Sequence, residues 1–354
     1  MAKIKEFIDE KYQDLKLAYS KGLTSLGLKL VTRNKKVKGI CVQKNIEYGT
    51  DKRQKYDLIY KNYDKPTKLP LIFYVHGGSW CGGDKYGYTM YCSKFAKQDY
   101  AIVNINYRLM PKVGIRTVIL DCINAMKHFT KNSKKIFKIL NKNVSIDFDH
   151  VFMIGDSAGA HIISLIAGRK NLSQIKLNFN ISALGLYYGV FDFRDIEHDP
   201  SPIMTDLDKY WKTCEKDRKK LYKDMSSTLF VTSTYPPCFV TSGEIDKLHH
   251  QTELMVEALR QNNVECDYLS FAKNRFDGSH AFLNVLKLKS SIEAFERISN
   301  FFNKHRGASN EKEWWVHSKN IKLWLQCRRC CQGWWTNSFC ALHSCGWASF
   351  WCCD

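Results

Sequence analysis

Short apolar runs alternate with amphipathic stretches between residues 37 and 305. Runs rich in β-branched and aromatic residues are typical of buried strands, and apolar residues at helical spacing indicate helices between them. The pattern predicts core strands at 68–75, 100–107, 151–154, 181–188, 237–242 and 266–271. It also predicts helices at 116–129, 251–261 and 292–302, and an antiparallel opening pair of strands at 37–48 and 55–62. This alternation is typical of one α/β domain, with a mostly parallel central sheet and helices on both faces.

The clearest chemical signal is a Gly-x-Ser-x-Gly sequence at the end of the strand predicted at 151–154. Gly155 and Gly159 flank Ser157, and the segment that follows has helical periodicity. A serine on such a strand-to-helix turn is held with its hydroxyl exposed, and the glycines avoid a Cβ where the turn closes. Ser157 is therefore the candidate nucleophile.

A histidine follows at the place in the chain where a general base for this serine belongs. His280 lies in the loop after the strand predicted at 266–271. From there it would take the Ser157 proton on attack and return it to the leaving group. His249 and His250 open the predicted helix at 251–261, so we expect them to face solvent or to make capping contacts instead.

Three carboxylates compete for the role of orienting His280. Asp246 is favoured, because a side chain a few residues past the end of the strand at 237–242 can reach across to the histidine loop. Glu244 is the alternative on the same turn, where it could instead be a surface charge. Asp277 is the other alternative, although beside Gly278 it is typical of a turn former.

Donors for a developing oxyanion are predicted in two places. Gly77 and Gly78 directly follow a buried strand, where the backbone can approach a reacting carbonyl closely and point N–H groups at it. The N–H group of Ala158 would complete the oxyanion hole. The glycine-rich continuation at 81–85 lacks the spacing of a phosphate-binding P-loop and does not lead into a predicted helix.

These motifs together resemble the hormone-sensitive-lipase-like branch of the α/β-hydrolases, the acetyl-esterase type of carboxylesterase. The resemblance spans roughly residues 38–305 and includes, in the family's order, segments 76–80, 106–111 and 155–159, Asp246 and segment 279–282. It implies a cofactor-free esterase with the triad Ser157, Asp246 and His280. The family's oxyanion donors map onto Gly78, Ser79 and Ala158, with Gly77 shaping the loop. Two departures are that Ser79 replaces a glycine and that residues 112–115 replace an acidic segment followed by Phe-Pro.

The resemblance also assigns two segments to a small helical cap over the serine. Residues 1–36 carry an apolar stripe at helical spacing, formed by Ile4, Phe7, Ile8, Tyr12 and Leu15. Residues 192–235 form a charged insertion that contains Tyr210 and Trp211. The expected organisation is therefore a cap segment at 1–36, a catalytic domain at 37–305 that contains the cap insertion, and a tail at 306–354.

The charge balance is strongly basic, with 54 Lys and Arg against 35 Asp and Glu. The basic residues are spread along the whole chain and no nucleic-acid-binding motif accompanies them, so we expect no nucleic-acid partner. No apolar stretch is long enough to span a bilayer, and the first residues lack the apolar core of a signal peptide. We therefore predict a cytoplasmic enzyme without a transmembrane segment.

The tail at 306–354 differs sharply in composition from the rest of the chain. It holds seven of the nine tryptophans and half of the fourteen cysteines. Cys327 and Cys330 have zinc-knuckle spacing, and Cys340, His343 and Cys345 could complete a ligand set, but the linking distances follow no standard pattern. We interpret the tail as a poorly packed or even out-of-frame extension without a part in catalysis, and expect no metal site in the catalytic domain.

The predicted function is hydrolysis of carboxylic esters of small or short-acyl substrates through an acyl-enzyme. Related formamidases and methylesterases share the His-Gly-Gly pattern, so an amide or formamide hydrolase or a peptidase of the same fold is the chemical alternative. A non-catalytic binding module on this fold is the other alternative. The complete set Ser157, Asp246 and His280 argues against it, because a binding module has no need of all three.

Overall fold

The structure is a computed structural model that describes residues 37–169, 175–198 and 218–307. The amino-terminal stripe, Tyr210 and Trp211 of the insertion, and the cysteines and histidine of the tail considered as zinc ligands all lie outside these residues.

Eight strands form one mixed sheet in the order β1-β2-β4-β3-β5-β6-β7-β8. The strands are β1 Ile40–Glu47, β2 Lys55–Lys61, β3 Thr67–Val75, β4 Ala101–Ile105, β5 Val144–Asp156, β6 Ala183–Tyr187, β7 Cys238–Gly243 and β8 Cys266–Phe271. Strands β3 to β8 are parallel to one another, whereas β2 pairs antiparallel with both β1 and β4. The mostly parallel sheet and its antiparallel opening pair are therefore confirmed.

Helices cover both faces of the sheet. They are α1 Thr89–Ala96, α2 Ile115–Leu140, α3 Ala158–Gly168, α4 Arg218–Met225, α5 His249–Gln261 and α6 Lys289–His305. Side chains alternate across a strand, so β3 sends Phe73 into one buried cluster and Tyr74 into the other. The Phe73 cluster includes residues of α2, α3 and α5, and the Tyr74 cluster includes residues of α1 and α6.

Two elements are longer than the sequence pattern indicated. Helix α2 continues past the predicted end at 129 to Leu140, because the polar run after Phe129 lies mainly on its exposed side while Phe137 is buried against Tyr60. Strand β5 begins at Val144 instead of 151, where it pairs with the start of β3. Helix α1 was not predicted at all, although its Tyr91 and Phe95 are buried.

The insertion at 192–235 is described at its two ends. It begins with a 3₁₀ segment, Phe193–His198, and ends with helix α4 and a 3₁₀ turn at Ser227–Phe230. Leu221 and Met225 of α4 are buried. No helix within the described ranges is both long and apolar enough to cross a membrane.

Candidate active site

The chain makes a sharp elbow where β5 passes into α3. Ser157 occupies the junction with φ 51° and ψ −119°, a backbone conformation that non-glycine residues rarely adopt. A Cβ on Gly159 would collide with the carbonyl oxygen of Val75, and one on Gly155 would collide with the backbone of Gly159. These glycines allow β3, β5 and α3 to approach closely, so the elbow presents Ser157 at the carboxyl edge of the sheet.

Ser157, His280 and Asp246 form a continuous hydrogen-bonded chain. His280 Nε2 lies 3.2 Å from Ser157 Oγ, and His280 Nδ1 lies 2.8 Å and 3.0 Å from the two carboxylate oxygens of Asp246. The Asp246 side chain is fully buried, whereas 31% of the His280 side chain is exposed. Asp246 Oδ1 also accepts a hydrogen bond from Leu248 N–H at 2.8 Å. The carboxylate is thus held in place while part of the imidazole remains exposed.

The two competing carboxylates have other partners. Glu244 accepts a hydrogen bond from Lys273 N–H at 3.0 Å. Asp277 receives the Arg275 guanidinium at 3.0 Å and Ser290 N–H at 2.7 Å. The hydrogen bond from Arg275, together with that from Ser290, outweighs burial and lowers the pKa of Asp277.

The two histidines at the start of α5 also bond elsewhere. His249 Nδ1 lies 2.8 Å from Ser242 Oγ, and His250 Nε2 lies 2.7 Å from Asp195 Oδ2. Of the candidates considered, it is Asp246 that the structure brings to His280.

The glycine-rich loop after β3 lies against the serine elbow. Gly77 N–H donates to Asp156 Oδ1 at 2.9 Å, so this group shapes the loop and is occupied. Gly78 and Ser79 have φ angles of 120° and 51°, and their N–H groups have no acceptor among the described residues. Ala158 is the first residue of α3, where a helix N–H lacks an intrahelical partner. Gly78, Ser79 and Ala158 can therefore offer N–H groups to an anion.

A buried carboxylate beside Ser157 holds this loop. Asp156 receives hydrogen bonds from Tyr74 at 2.9 Å and Tyr88 at 2.8 Å in addition to Gly77 N–H. Burial raises the pKa of Asp156 to about 6, although the three hydrogen bonds oppose the rise. No role for Asp156 beyond its place in the motif could be predicted from the sequence, because its partners Tyr74 and Tyr88 lie far away along the chain.

A buried histidine joins the loop to the insertion. Trp80 Nε1 donates to His161 Nδ1 at 3.1 Å, and His161 Nε2 lies 2.9 Å from the carbonyl oxygen of Met225. This pattern requires a neutral ring protonated on Nε2, and burial lowers the pKa of His161 to about 4. Nothing in the sequence distinguished His161 from the other apolar-face residues of α3.

Two tyrosines support the remaining parts of the site. Tyr107 OH donates to the carbonyl oxygen of His76 at 2.8 Å, and its ring stacks on the His76 ring with centroids 4.4 Å apart. Tyr188 packs edge-on against His280 with ring centroids 4.9 Å apart. The loop and the His280 imidazole are each braced by an aromatic ring that follows another strand of the sheet, β4 for Tyr107 and β6 for Tyr188.

The arrangement combines a serine hydroxyl, an imidazole within hydrogen-bond distance of it, a carboxylate on the far side of the imidazole, and N–H donors at a helix start. Such a set can form and break an acyl bond on the serine oxygen. No group of three or more His, Cys, Asp or Glu residues suited to a metal ion occurs in the part of the chain that the structure describes.

Comparisons with known proteins agree with this architecture. The BD-FAE family model matches residues 57–259, more than half of the chain. The acetyl esterase of Salmonella schwarzengrund is 23% identical over 250 residues, which cover 67% of this chain and 73% of that protein. The probable carboxylic ester hydrolase LipM of Mycobacterium tuberculosis is 27% identical over 248 residues, or 66% of this chain and 56% of LipM.

Solved structures show the same fold. Esterase B from Lactobacillus rhamnosis superimposes with a TM-score of 0.73 at 21% identity, covering 84% of this chain and 96% of the esterase. The same esterase has been solved with a tributyrin phosphonate inhibitor. These likenesses confirm the α/β-hydrolase fold that the sequence predicted.

Proposed function

The chain belongs to the BD-FAE family, and we propose that it is a serine hydrolase that cleaves carboxylic esters with small or short acyl groups. The observation that carries the proposal is the hydrogen-bonded chain from Ser157 through His280 to Asp246. The acetyl esterase and carboxylic ester hydrolase names among the relatives support an ester as the bond that is cleaved.

In the proposed reaction, His280 Nε2 takes the proton from Ser157 Oγ as the oxygen attacks the ester carbonyl. The new C–O bond converts the carbonyl to a tetrahedral oxyanion, which the N–H groups of Gly78, Ser79 and Ala158 would stabilise. Asp246 holds His280 with its Nδ1 proton toward the carboxylate and stabilises the imidazolium that forms. The carboxylate does not take up the proton itself.

Collapse of the tetrahedral intermediate breaks the bond to the alcohol oxygen, which receives the proton from His280 Nε2. The acyl group remains on Ser157 as an ester. A water molecule then attacks this acyl-enzyme with His280 again as the base, and the carboxylic acid leaves as Ser157 recovers its proton.

We also propose that the insertion at 192–235 borders the substrate site. Phe193 lies against Trp80 with ring centroids 5.8 Å apart and against His161 at 4.9 Å. Trp80 directly follows Ser79, a proposed oxyanion donor. The start of the insertion therefore packs on the glycine-rich loop after β3 that carries Gly78 and Ser79, called the oxyanion loop below. There it can limit the size of a bound ester.

Steady-state hydrolysis tests this function. The purified full chain should hydrolyse p-nitrophenyl acetate and butyrate faster than the matching p-nitroanilides, and a metal chelator should leave the rate unchanged because His280 activates the serine. Ser157→Ala should lower kcat by about 10⁶-fold, the loss seen when a triad serine is removed. Ser145→Ala, at an exposed serine on β5, the strand that leads to Ser157, is the matched control. Equal rates for wild type and Ser157→Ala would refute the proposal.

A further inference from the structure

An open cleft lies on the outer side of the oxyanion loop, away from Ser157. Its volume is about 490 Å³, within the range of small-molecule sites of roughly 300–1,000 Å³. It is lined by the β1–β2 hairpin, the end of the glycine-rich loop and the residue after β4, and the lining includes Lys44, Lys52, Arg53, Lys55, Lys85 and Tyr86. Because β3 and β4 end here, the cleft opens at the carboxyl edge of the sheet, where ligands bind in open α/β folds.

The lining carries an excess of positive charge. Five of its side chains are basic and two are acidic. Both acids are already neutralised, since Asp57 pairs with Lys85 at 2.7 Å and Asp84 lies 3.6 Å from Arg53. Lys44 and Lys52 form no ion pair with any carboxylate in the described part of the chain. The cleft therefore presents unneutralised cations to a ligand.

Two of the basic groups are fixed before any ligand arrives. The Lys85 side chain is only 7% exposed and is held by Asp57 and by Asn45 Oδ1 at 2.8 Å. Arg53 donates through Nε to the carbonyl oxygen of Tyr107 at 2.8 Å and through Nη2 to that of Gly83 at 2.9 Å. A guanidinium has five N–H donors, so these bonds orient Arg53 and leave donors for an anion. Pre-positioned donors lower the entropy lost on binding.

An aromatic ring completes the wall. Tyr86 is half-buried in the lining, and the Lys44 ammonium lies 5.9 Å from the centre of its ring. An aromatic ring beside cationic groups suits a ligand that joins an anionic group to a planar one. A guanidinium together with ammonium groups is the set that phosphate groups prefer, since each supplies charge-assisted N–H donors.

We propose that this cleft binds the phosphate group of a phosphorylated small molecule. The site uses none of the triad or oxyanion residues, so it goes beyond ester hydrolysis and does not depend on it. Arg53 of the cleft nevertheless also supports the oxyanion loop. Its guanidinium donates to the carbonyl oxygen of Gly83 at the end of that loop and to that of Tyr107. The Tyr107 hydroxyl in turn donates to the carbonyl oxygen of His76.

Isothermal titration calorimetry on the full chain tests the proposal, with adenosine monophosphate, inorganic phosphate and adenosine as probes. Adenosine monophosphate should bind, inorganic phosphate should compete with it, and adenosine should not bind. The double variant Lys44→Gln/Lys52→Gln should weaken binding by about tenfold or more, because it removes charged partners of the phosphate. Lys65→Gln, an exposed lysine in the β2–β3 loop, is the matched control and should bind as wild type does.

A lipid headgroup is the other source of phosphate, and cosedimentation with phosphatidylcholine vesicles that contain phosphatidic acid separates the two. Capture by these vesicles without binding of adenosine monophosphate would replace the small molecule with a membrane surface and overturn the proposal. The proposal would also be overturned if neither adenosine monophosphate nor inorganic phosphate binds, or if adenosine binds as tightly as adenosine monophosphate. Unchanged binding of adenosine monophosphate by the double variant would overturn it as well. Ester hydrolysis by the double variant should equal that of wild type, so failure of this site and failure of the proposed function are distinguishable.

Discussion

The proposed acid–base half of the site, Asp246 and His280, and the proposed oxyanion half, the glycine-rich loop with Gly78 and Ser79, are built in contrasting ways. Asp246 and His280 come from the loops after two adjacent strands, β7 and β8, and a few hydrogen bonds suffice to align them. The loop of the oxyanion half is fastened by groups from many parts of the chain, including Asp156, Tyr107, Arg53 and His161. Most of these groups are buried.

The difference follows from what each half must do. In the proposed reaction the imidazole carries a proton between two oxygen atoms, and its ring is partly exposed and oriented by one carboxylate. The backbone donors have to stand in a fixed position before charge develops, because donors that reorganise during the reaction stabilise the oxyanion less. The proposed roles therefore predict that a single substitution at Asp246 strongly lowers kcat. They also predict that kcat falls when a residue that holds the glycine-rich loop from a distant part of the chain is replaced.

The largest effect is expected at the carboxylate of the acid–base half. Asp246→Asn should lower kcat by about 10³ to 10⁴-fold, because an amide favours the wrong tautomer of His280. Steady-state kinetics with a p-nitrophenyl ester measures the loss. Glu244→Gln and Asp277→Asn are matched controls that should keep near-normal turnover, and a collapse in either one with normal turnover in Asp246→Asn would reassign the acid.

A smaller loss of kcat is expected when Asp156, the buried carboxylate that holds the glycine-rich loop, is replaced. Asp156→Asn can keep the acceptor that Gly77 N–H and the Tyr74 hydroxyl share, but it then places an NH₂ group where the Tyr88 hydroxyl donates. Displaced oxyanion donors should cost about 10² to 10³-fold in kcat, comparable to the removal of one donor. KM and the unfolding transition should be recorded on the same variant. Wild-type kcat in a folded Asp156→Asn protein would show that the loop does not need this carboxylate.

The bridge through His161 should matter more for stability than for chemistry. His161→Leu would leave Trp80 N–H and the Met225 carbonyl unpaired, at a cost of about 2 to 4 kcal/mol in the free energy of unfolding. His161→Gln can restore one of the two bonds and should lose less. Urea denaturation of the three proteins checks this order, and equal stabilities of the leucine and glutamine variants would contradict it.

The raised pKa of Asp156 also predicts that the free energy of unfolding depends on pH. Because burial raises the pKa of Asp156 from 3.8 to about 6, the folded chain binds more protons than the unfolded chain between these values. The contribution of Asp156 is therefore fully present below about pH 4 and is lost as the pH rises toward 6. The loss is on the order of 3 kcal/mol.

Asp156→Asn lacks this contribution and isolates it. Unfolding free energies of wild type and variant, measured from pH 4 to pH 7, should show wild type losing stability relative to the variant as pH rises. Parallel pH profiles would mean that folding does not raise the pKa of Asp156.

The smallest effect is expected at the carboxyl-terminal tail, which belongs to neither half. Truncation after Arg306 should leave ester hydrolysis unchanged, because the α/β pattern of the sequence ends near His305. Activity and the folded fraction should be compared between the full and the truncated chains. Loss of folding in the truncated protein would show that the tail contributes to the domain.

The two halves also differed in how far the sequence could predict them. Ser157, Asp246 and His280 each follow a strand, so the order of strands along the chain was enough to place them at one edge of the sheet. The supports of the loop could not be found this way, because Tyr74 and Tyr88 meet Asp156 only through packing of elements distant in the chain. His161 has the spacing of an ordinary core residue, and its role depends on a carbonyl in the insertion.

The same reasoning explains the errors in element boundaries. Helix α2 was predicted to end at 129 because a polar run follows, but tertiary packing of Phe137 against Tyr60 carries the helix further. Helix α1 is short, and its polar and apolar residues are mixed in a way that does not reveal burial under the sheet. Local patterns therefore predicted the strands and the catalytic loops better than the helices.

Covalent labelling of Ser157 tests the central claim most directly. A fluorophosphonate probe reacts with a serine that is activated by a neighbouring base, and mass spectrometry of the digested protein locates the modified residue. We expect one modified peptide that contains Ser157, with labelling lost in Ser157→Ala and strongly slowed in His280→Ala. Absence of labelling in the folded wild-type protein, or labelling at another serine that persists in Ser157→Ala, would contradict the proposed nucleophile.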